Sequence, residues 1–356
     1  MTTQSRPTPD AIRQARIDNP TMRERDLADS LGISEAELLA AHIGQGVTRI
    51  SSELDKLIPA VMELGETMAL TRNDSCVIEK HGVYEDYRGA PHAALVVNED
   101  IDLRMFPRHW HFGFAVEKAL PEGGTRRSLQ IFDAAGDAVH KIFLKDPAIA
   151  DTWDDLLTRL APQDTSAEIT VSPRKPTEPA KGDPTKAQRL RDKWDKMTDT
   201  HQFLQMVNGL KMNRLGAYRL AGAPYVRPLP PQAVEDLLQK ACDTALPIMI
   251  FVGNMGCIEI HTGPIHSLKP MGPWINVLDP RFNLHLRGDH IAEVWQVTKS
   301  TRRGDAVSVE AFDKDGAVIL QIFGVLADPD AAAKWNETVA SLPSLPEPSP
   351  EEEVSA

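Results

Sequence analysis

The chain has 356 residues, 42% hydrophobic and 25% charged, a globular composition with length enough for two domains. Its net charge of −12 excludes the basic field that non-specific phosphate-backbone binding needs, so no nucleic-acid partner is expected. Three scattered cysteines, Cys76, Cys242 and Cys257, form no CxxC pair, which excludes a disulfide framework, a cysteine zinc site and a dithiol redox motif.

In chain order, Met1 to Pro9 is polar and lacks the apolar segment of a signal peptide. No run approaches the ~18 apolar residues of a membrane span, so a cytoplasmic protein without membrane insertion is expected. Residues 10–70 alternate helical patterns. Asn19-Pro20 ends one helix, and Leu31-Gly32-Ile33-Ser34 turns into another, with Ser34 and Glu37 at capping-box spacing. Leu27 to Ser34 resembles the turn of a helix-turn-helix, but Glu35 and Glu37 open the next helix and would repel phosphate. A plain helical hairpin is expected there.

From about Ser75 to Phe143 the pattern changes to short strands at Ala93–Val97, Ile101–Met105, Gly113–Val116 and Ser128–Phe132. His109-Trp110-His111 is expected on a strand with both imidazoles on one face, a metal pair if other ligands arrive. Nothing nearby has decisive spacing, so structural histidines are favoured. Residues 146–161 return to helix, carrying Trp153, Leu156, Leu157 and Leu160. Pro162 to Lys186 lacks periodicity and reads as an exposed linker, Leu246–Val252 as a buried strand, and Pro343 to Ala356 as a disordered tail.

The second half repeats the first. Ser128-Leu-Gln-Ile-Phe-Asp-Ala-Ala-Gly136 matches Ser308-Val-Glu-Ala-Phe-Asp-Lys-Asp-Gly316, and His140-Lys-Ile-Phe143 matches Leu320-Gln-Ile-Phe323, both at an offset of 180. Asp102–Met105 pairs with Asn283–Leu286 and Trp153 with Trp335 at slightly different offsets. Ordered matches of this kind indicate a duplicated α+β unit, strands first and a closing helix after. The expected fold is therefore two repeated α+β lobes, each an antiparallel sheet with flanking helices, with a ligand cleft between them. The lobes span residues 1–161 and 187–342, joined by the linker 162–186 and followed by the tail 343–356.

Leu190, Trp194, Met197, His201 and Leu204 fall on one helical stripe, which would hold the His201 imidazole beside Met197, Phe203, Leu204 and Met206. Thr198-Asp199 instead suits the cap of a new helix starting just before His201, and in either case the imidazole is expected beside the same apolar residues. Periodicity alone favours a core histidine; the functional alternative is an axial ligand, since a neutral imidazole on an apolar wall is what haem iron needs. Arg214 lies thirteen residues on, either a solvated charge near a helix C-terminus or a partner for an anionic ligand group. GxGxxG, P-loop, GxSxG and HExxH motifs are absent, so no flavin or nicotinamide domain is expected.

From about residue 10 to 342 the sequence resembles the HemS/ChuS type of bacterial haem-trafficking and haem-degrading protein. The matching blocks are Leu64–Asn73, Asp102–Arg104, Met197–Phe203, Ile248–Asn254, His261–Gly263, Gly272–Asn276 and Phe282–Leu286. The resemblance implies that His201 is the proximal haem iron ligand and that Arg104 faces the haem from the opposite side, where a guanidinium also suits bound dioxygen. It implies haem contacts for Arg214, for Lys299 after Trp295, and for Phe106, close to Arg104. Cations make sense there because buried propionates need paired charges. The family's tyrosine and arginine near the C-terminus are replaced here by Phe323 and Leu326, so one wall of the pocket loses a phenol and a cation, Arg302 and Arg303 being the cations available to compensate.

Two functions follow from the resemblance. In one, the protein degrades haem by oxidative ring opening with an external electron donor and frees iron. In the other, it carries haem from an inner-membrane importer to a separate haem oxygenase. Both need His201, and the residues leave the choice open.

Overall fold

A computed structural model describes residues 6–145, 150–162, 164, 168–302 and 304–345. The tail expected over 343–356 lies outside the described residues from 346 onward, as does Arg303. The chain divides into two units. Unit 1 comprises Met1–Arg72, Ile78–Lys175 and Gly253–Glu259; unit 2 comprises Asn73–Val77, Pro176–Val252 and Ile260–Ala356.

Unit 1 opens with helices α1 (Pro9–Asp18), α2 (Glu24–Leu31) and α3 (Glu35–Ala40). Gly32 closes α2 at φ 66°, and Ser34 with Glu37 forms the capping box of α3. Then come β1 (Val47–Ile50), α4 (Leu54–Met62), β2 (Glu66–Arg72) and β3 (Cys76–Val83). Two strands thus lie in a stretch expected to be helical. The inward residues of β2 are Thr67, Ala69 and Thr71, all fully buried, so its alternation carries little apolar signal.

Next follow β4 (Ala94–Val97), β5 (Asp102–Met105), β6 (Phe112–Ala119), β7 (Thr125–Phe132), β8 (Ala138–Leu144) and α5 (Ala150–Arg159). The unit 1 sheet runs β1-β6-β7-β8-β2-β3. Leu57, Ile58 and Val61 of α4 and Trp153, Leu156 and Leu160 beside them share one core with Leu129, Ile131 and Ile142 of the sheet. Burying such side chains contributes roughly 2 kcal/mol each.

Unit 2 carries α6 (Ala187–Trp194), α7 (Gln202–Gly209), α8 (Arg214–Ala221), β9 (Val226–Leu229) and α9 (Ala233–Thr244). There follow β10 (Ile248–Gly253), β11 (Cys257–Gly263), β12 (Leu268–Met271), β13 (Trp274–Asp279) and β14 (Phe282–Arg287). Strands β15 (Glu293–Thr301), β16 (Gly304–Phe312) and β17 (Val318–Gly324) and helix α10 (Pro329–Ala340) complete it. Antiparallel pairing in the order β9-β15-β16-β17-β10 reproduces β1-β6-β7-β8-β2 of unit 1.

The duplication extends to backbone detail. Register shifts fall at Ile131/Phe132 and at Ala311/Phe312. Asp133 accepts from the N–H groups of Ala135 and Asp137, and Asp313 from those of Asp315 and Ala317, before Gly136 at φ 83° and Gly316 at φ 90°. Asn254 Nδ2 donates to Val139 O (2.9 Å) in unit 1, and Asn73 Nδ2 to Ile319 O (2.8 Å) in unit 2. Trp153 and Trp335 are both buried, and a Cβ on Gly324 would lie 2.4 Å from the Trp335 ring.

The stretch expected as a linker is mostly exposed yet tied down. Ser172 N donates to Ala134 O (2.7 Å) and Val171 packs on the Phe112–Phe132 cluster in unit 1, while Asn213 N donates to Lys181 O (3.0 Å) in unit 2. Among the described residues no helix is long and apolar enough to cross a membrane.

Candidate functional site

The stripe Leu190–Leu204 is not one helix. Helix α6 stops at Trp194 and α7 starts at Gln202, because the intervening polar groups bond locally. Asp199 Oδ1 accepts from His201 N (2.8 Å), and Gln202 Oε1 accepts from Thr198 N (2.9 Å). Leu190, Trp194, Met197 and Phe203 are buried as their spacing predicts. His201 is not: its side chain is 93% exposed at the N-cap of α7, which corrects the apolar surroundings expected for it. Leu204, also expected on the apolar wall, is half exposed.

The exposed imidazole is oriented. Its Nδ1 lies 2.7 Å from Asp199 Oδ1, so this nitrogen is the N–H donor and Nε2 faces away as an acceptor or metal ligand. The backbone N–H and ring of His201 hold the Asp199 carboxyl below its ordinary range. Two anchors fix the corner to the sheet: Trp194 Nε1 donates to Thr298 O (2.9 Å) and Arg302 N to Thr198 O (3.1 Å).

Beneath α7 lies a buried polar network. Glu310 on β16 is fully buried; its Oε1 accepts from Lys299 Nζ (2.8 Å) and Ser308 Oγ (2.9 Å), its Oε2 from Arg214 Nη1 (2.8 Å) and Tyr218 OH (2.9 Å). Lys299 Nζ also lies 4.8 Å from the centroid of Phe203, and the Arg214 guanidinium 5.7 Å from it. Burial opposes ionisation of Glu310, but Lys299 and Arg214 hold its carboxyl down to about 2. Burial lowers Lys299, Glu310 opposing and Arg214 assisting that shift. Arg214 is the first residue of α8, capped by Asn213, and not a solvated charge near a helix C-terminus. Its side chain is 19% exposed.

The remaining candidates make other contacts. Phe323 on β17 is half-buried and meets Phe251 edge-on, ring centroids 5.1 Å apart. Leu326 follows that strand, half-buried. Arg104, on β5 of unit 1, is held by the Asp102 carboxylate and donates to Leu103 O (3.2 Å). Phe106 is half-buried and its N–H donates to Gly256 O (2.9 Å). His109 and His111 are not on a strand: Pro107 opens a 3-10 turn through His109, and His111 stacks edge-on against Phe112. Among the described residues no group of three metal-ligating side chains forms.

Unit 1 has its own buried polar cluster, which periodicity did not reveal. His140 is fully buried, its Nε2 2.6 Å from Tyr84 OH and its Nδ1 2.8 Å from Thr71 Oγ1. Cys257 and Glu259 complete it; neither carboxyl oxygen of Glu259 has a hydrogen-bond partner among the described residues. Burial drives His140 down to about 3 and Glu259 up to about 8, so both are neutral across the intervening range.

Sequence reading missed Asp199 as the partner of His201, and Tyr218 and Glu310 altogether. The Asp-x-His spacing and the i, i+4 spacing of Arg214 and Tyr218 were the available signals.

The family model described as the haemin-degrading HemS.ChuX domain matches residues 32–160 and again residues 211–342. The hemin transport protein HmuS of Yersinia pestis is 35% identical over 333 residues, covering 92% of this chain and 95% of that protein. The crystal structure of holo-PhuS, a heme-binding protein of Pseudomonas aeruginosa, matches with a TM-score of 0.88 at 38% identity, covering 95% of this chain and all of that one. That of ChuS, described as an E. coli heme oxygenase, matches with a TM-score of 0.82 at 31% identity, covering 92% and 98%.

Proposed function

The chain belongs to the haemin-degrading HemS/ChuX family, and on that premise we propose that it takes haem as substrate, ligates it through His201 and opens the ring oxidatively, with dioxygen as oxidant and electrons from an external donor. The observation that carries this reading is the His201–Asp199 pair. A carboxylate on Nδ1 keeps the proton there, aims Nε2 outward and raises the basicity of the ligand. Haem supplies the redox chemistry when bound. The chain's own residues hold and tune it.

The half-exposed Leu204 offers apolar surface one turn from His201. Lys299 and Arg214 supply positive charge towards the propionates. Arg104 is proposed to act on turnover more than on binding, and Phe106 to pack on the porphyrin edge. The exchange of a phenol for Phe323 leaves that wall apolar, so propionate recognition rests on the Lys299–Arg214 side. A cytoplasmic setting, with an inner-membrane haem importer upstream, suits this reading.

The exposure of His201 favours a second function. A ligand so accessible both accepts and releases haem readily, which suits a carrier feeding a separate haem oxygenase, and the Yersinia relative is described as a transport protein. The test is a haemin absorption titration followed by ascorbate or a reductase system in air, with catalase present. A Soret band that forms and then decays, with chelatable ferrous iron appearing, supports degradation. A Soret band stable under reduction overturns it in favour of carriage.

A further inference from the structure

We propose that Glu310 is a positioning residue of the haem site, keeping Lys299 charged and Arg214 aimed so that one uncompensated positive charge stands beneath the first turn of α7. The inference rests on the reading of His201 as the haem ligand. Glu310 accepts four hydrogen bonds and is the single carboxylate among two cations, so the network carries a formal charge of +1. Its location follows from Phe203, which lies two residues after His201 in α7 and receives both cations on its ring.

The charge depends on Glu310 because Lys299 is only 3% exposed. An ammonium so buried loses its hydration, and Arg214 repels it. The titratable and charged groups facing Lys299 are Arg214 and Tyr218 from α8 and Glu310 from β16; α6 and α7 bring Trp194 and Phe203, which do not titrate. Of these only Glu310 carries a negative charge to offset the ammonium, the Phe203 ring and the Tyr218 hydroxyl adding weaker support. With Glu310 neutralised, Lys299 holds its proton less tightly than in wild type, and as pH rises the attraction for propionates falls at a lower pH.

The experiment compares the full-length wild type with Glu310→Gln, Lys299→Met and the double variant. Haemin affinity is measured at about pH 6 and about pH 8.5, and Lys299 is titrated in the haem-free protein through its 13Cε resonance. Changes in haemin's own ionisation are common to all four chains and cancel. In Glu310→Gln, affinity is expected to fall about tenfold more over this interval than in wild type, and Lys299→Met in that background to abolish the difference. The same pH profile in Glu310→Gln and wild type overturns the proposal, as does a wild-type Lys299 already neutral at about pH 7.5, a result that stands even if Glu310→Gln fails to fold. If haemin does not bind through His201, affinity becomes insensitive to His201→Ala while the Lys299 titration still shifts in Glu310→Gln, which separates failure of the site from failure of the proposal.

Discussion

The same position in the two repeats carries opposite charges. The first residue of α3 is Glu35, buried against Lys141 of β8; the first residue of α8 is Arg214, buried against Glu310 of β16. In unit 1 Glu35 meets the single ammonium of Lys141 in a hydrogen-bonded pair, and the cluster of His140, Tyr84, Thr71, Cys257 and Glu259 stays neutral. Unit 2 gathers two cations on one anion, beside the corner that exposes His201. Duplication has kept the backbone devices, the aspartate turns, bulges and closing tryptophans, while the buried charge has diverged. On the proposed function, this surplus of positive charge is what makes unit 2 the side suited to a ligand with anionic groups.

The contrast is sharpest in lysine removal. Lys141→Met removes the hydrogen-bonded cation of buried Glu35, leaving it the field of Arg72, and is expected to cost about 3 kcal/mol in urea unfolding. Lys299→Met leaves Glu310 paired with Arg214 and is expected to cost less than half of that, since no buried charge loses its last partner. Equal losses would mean the two networks are not built differently.

The neutral cluster of unit 1 predicts a pH dependence. Glu259 has its folded value raised to about 8, so its contribution is complete below the unfolded value and is lost as pH rises through about 8. His140 is depressed to about 3, so its contribution is complete above its unfolded value and is lost as pH falls towards 3. Between about pH 6.5 and 8 only Glu259 still titrates, and stability should fall there. Glu259→Gln should remove that slope, by at most about 5 kcal/mol over its whole range, as read in thermal melts at several pH values. A slope unchanged in Glu259→Gln would contradict the neutral assignment.

Asp199→Asn removes the carboxylate from His201 Nδ1 and should weaken haemin binding about tenfold without changing the fold, read by the Soret titration. Unchanged affinity would deprive the pair of its role. The smallest effect belongs to the two equivalent caps: Ser34→Ala and Asn213→Ala should each cost about 1 kcal/mol, and a much larger loss at Asn213 would show that its links to Lys181 and Pro179 matter more than the cap.

These contrasts also mark how far the sequence was legible. The α2–α3 hairpin with its capping box, strands β4 to β7, helix α5 and the duplication were all readable, because each rests on local spacing. Strand β2 was hidden because its inward residues are mostly threonines. The new helix starting near Thr198-Asp199 was legible as an alternative to one continuous stripe, but the exposure of His201 was not: α6 stops at Trp194, and Asp199 holds the His201 N–H and ring at the exposed start of α7. The Glu310 network escaped notice because α8, β15 and β16 meet only in three dimensions, and a glutamate alternating with apolar residues reads as a solvent-facing strand position.

The central claim is that His201 Nε2 ligates haem iron. Haemin titration of His201→Ala beside wild type, followed through the Soret band, tests it directly. The account predicts loss of the shifted band and a large drop in affinity; an unchanged spectrum with unchanged affinity would contradict it.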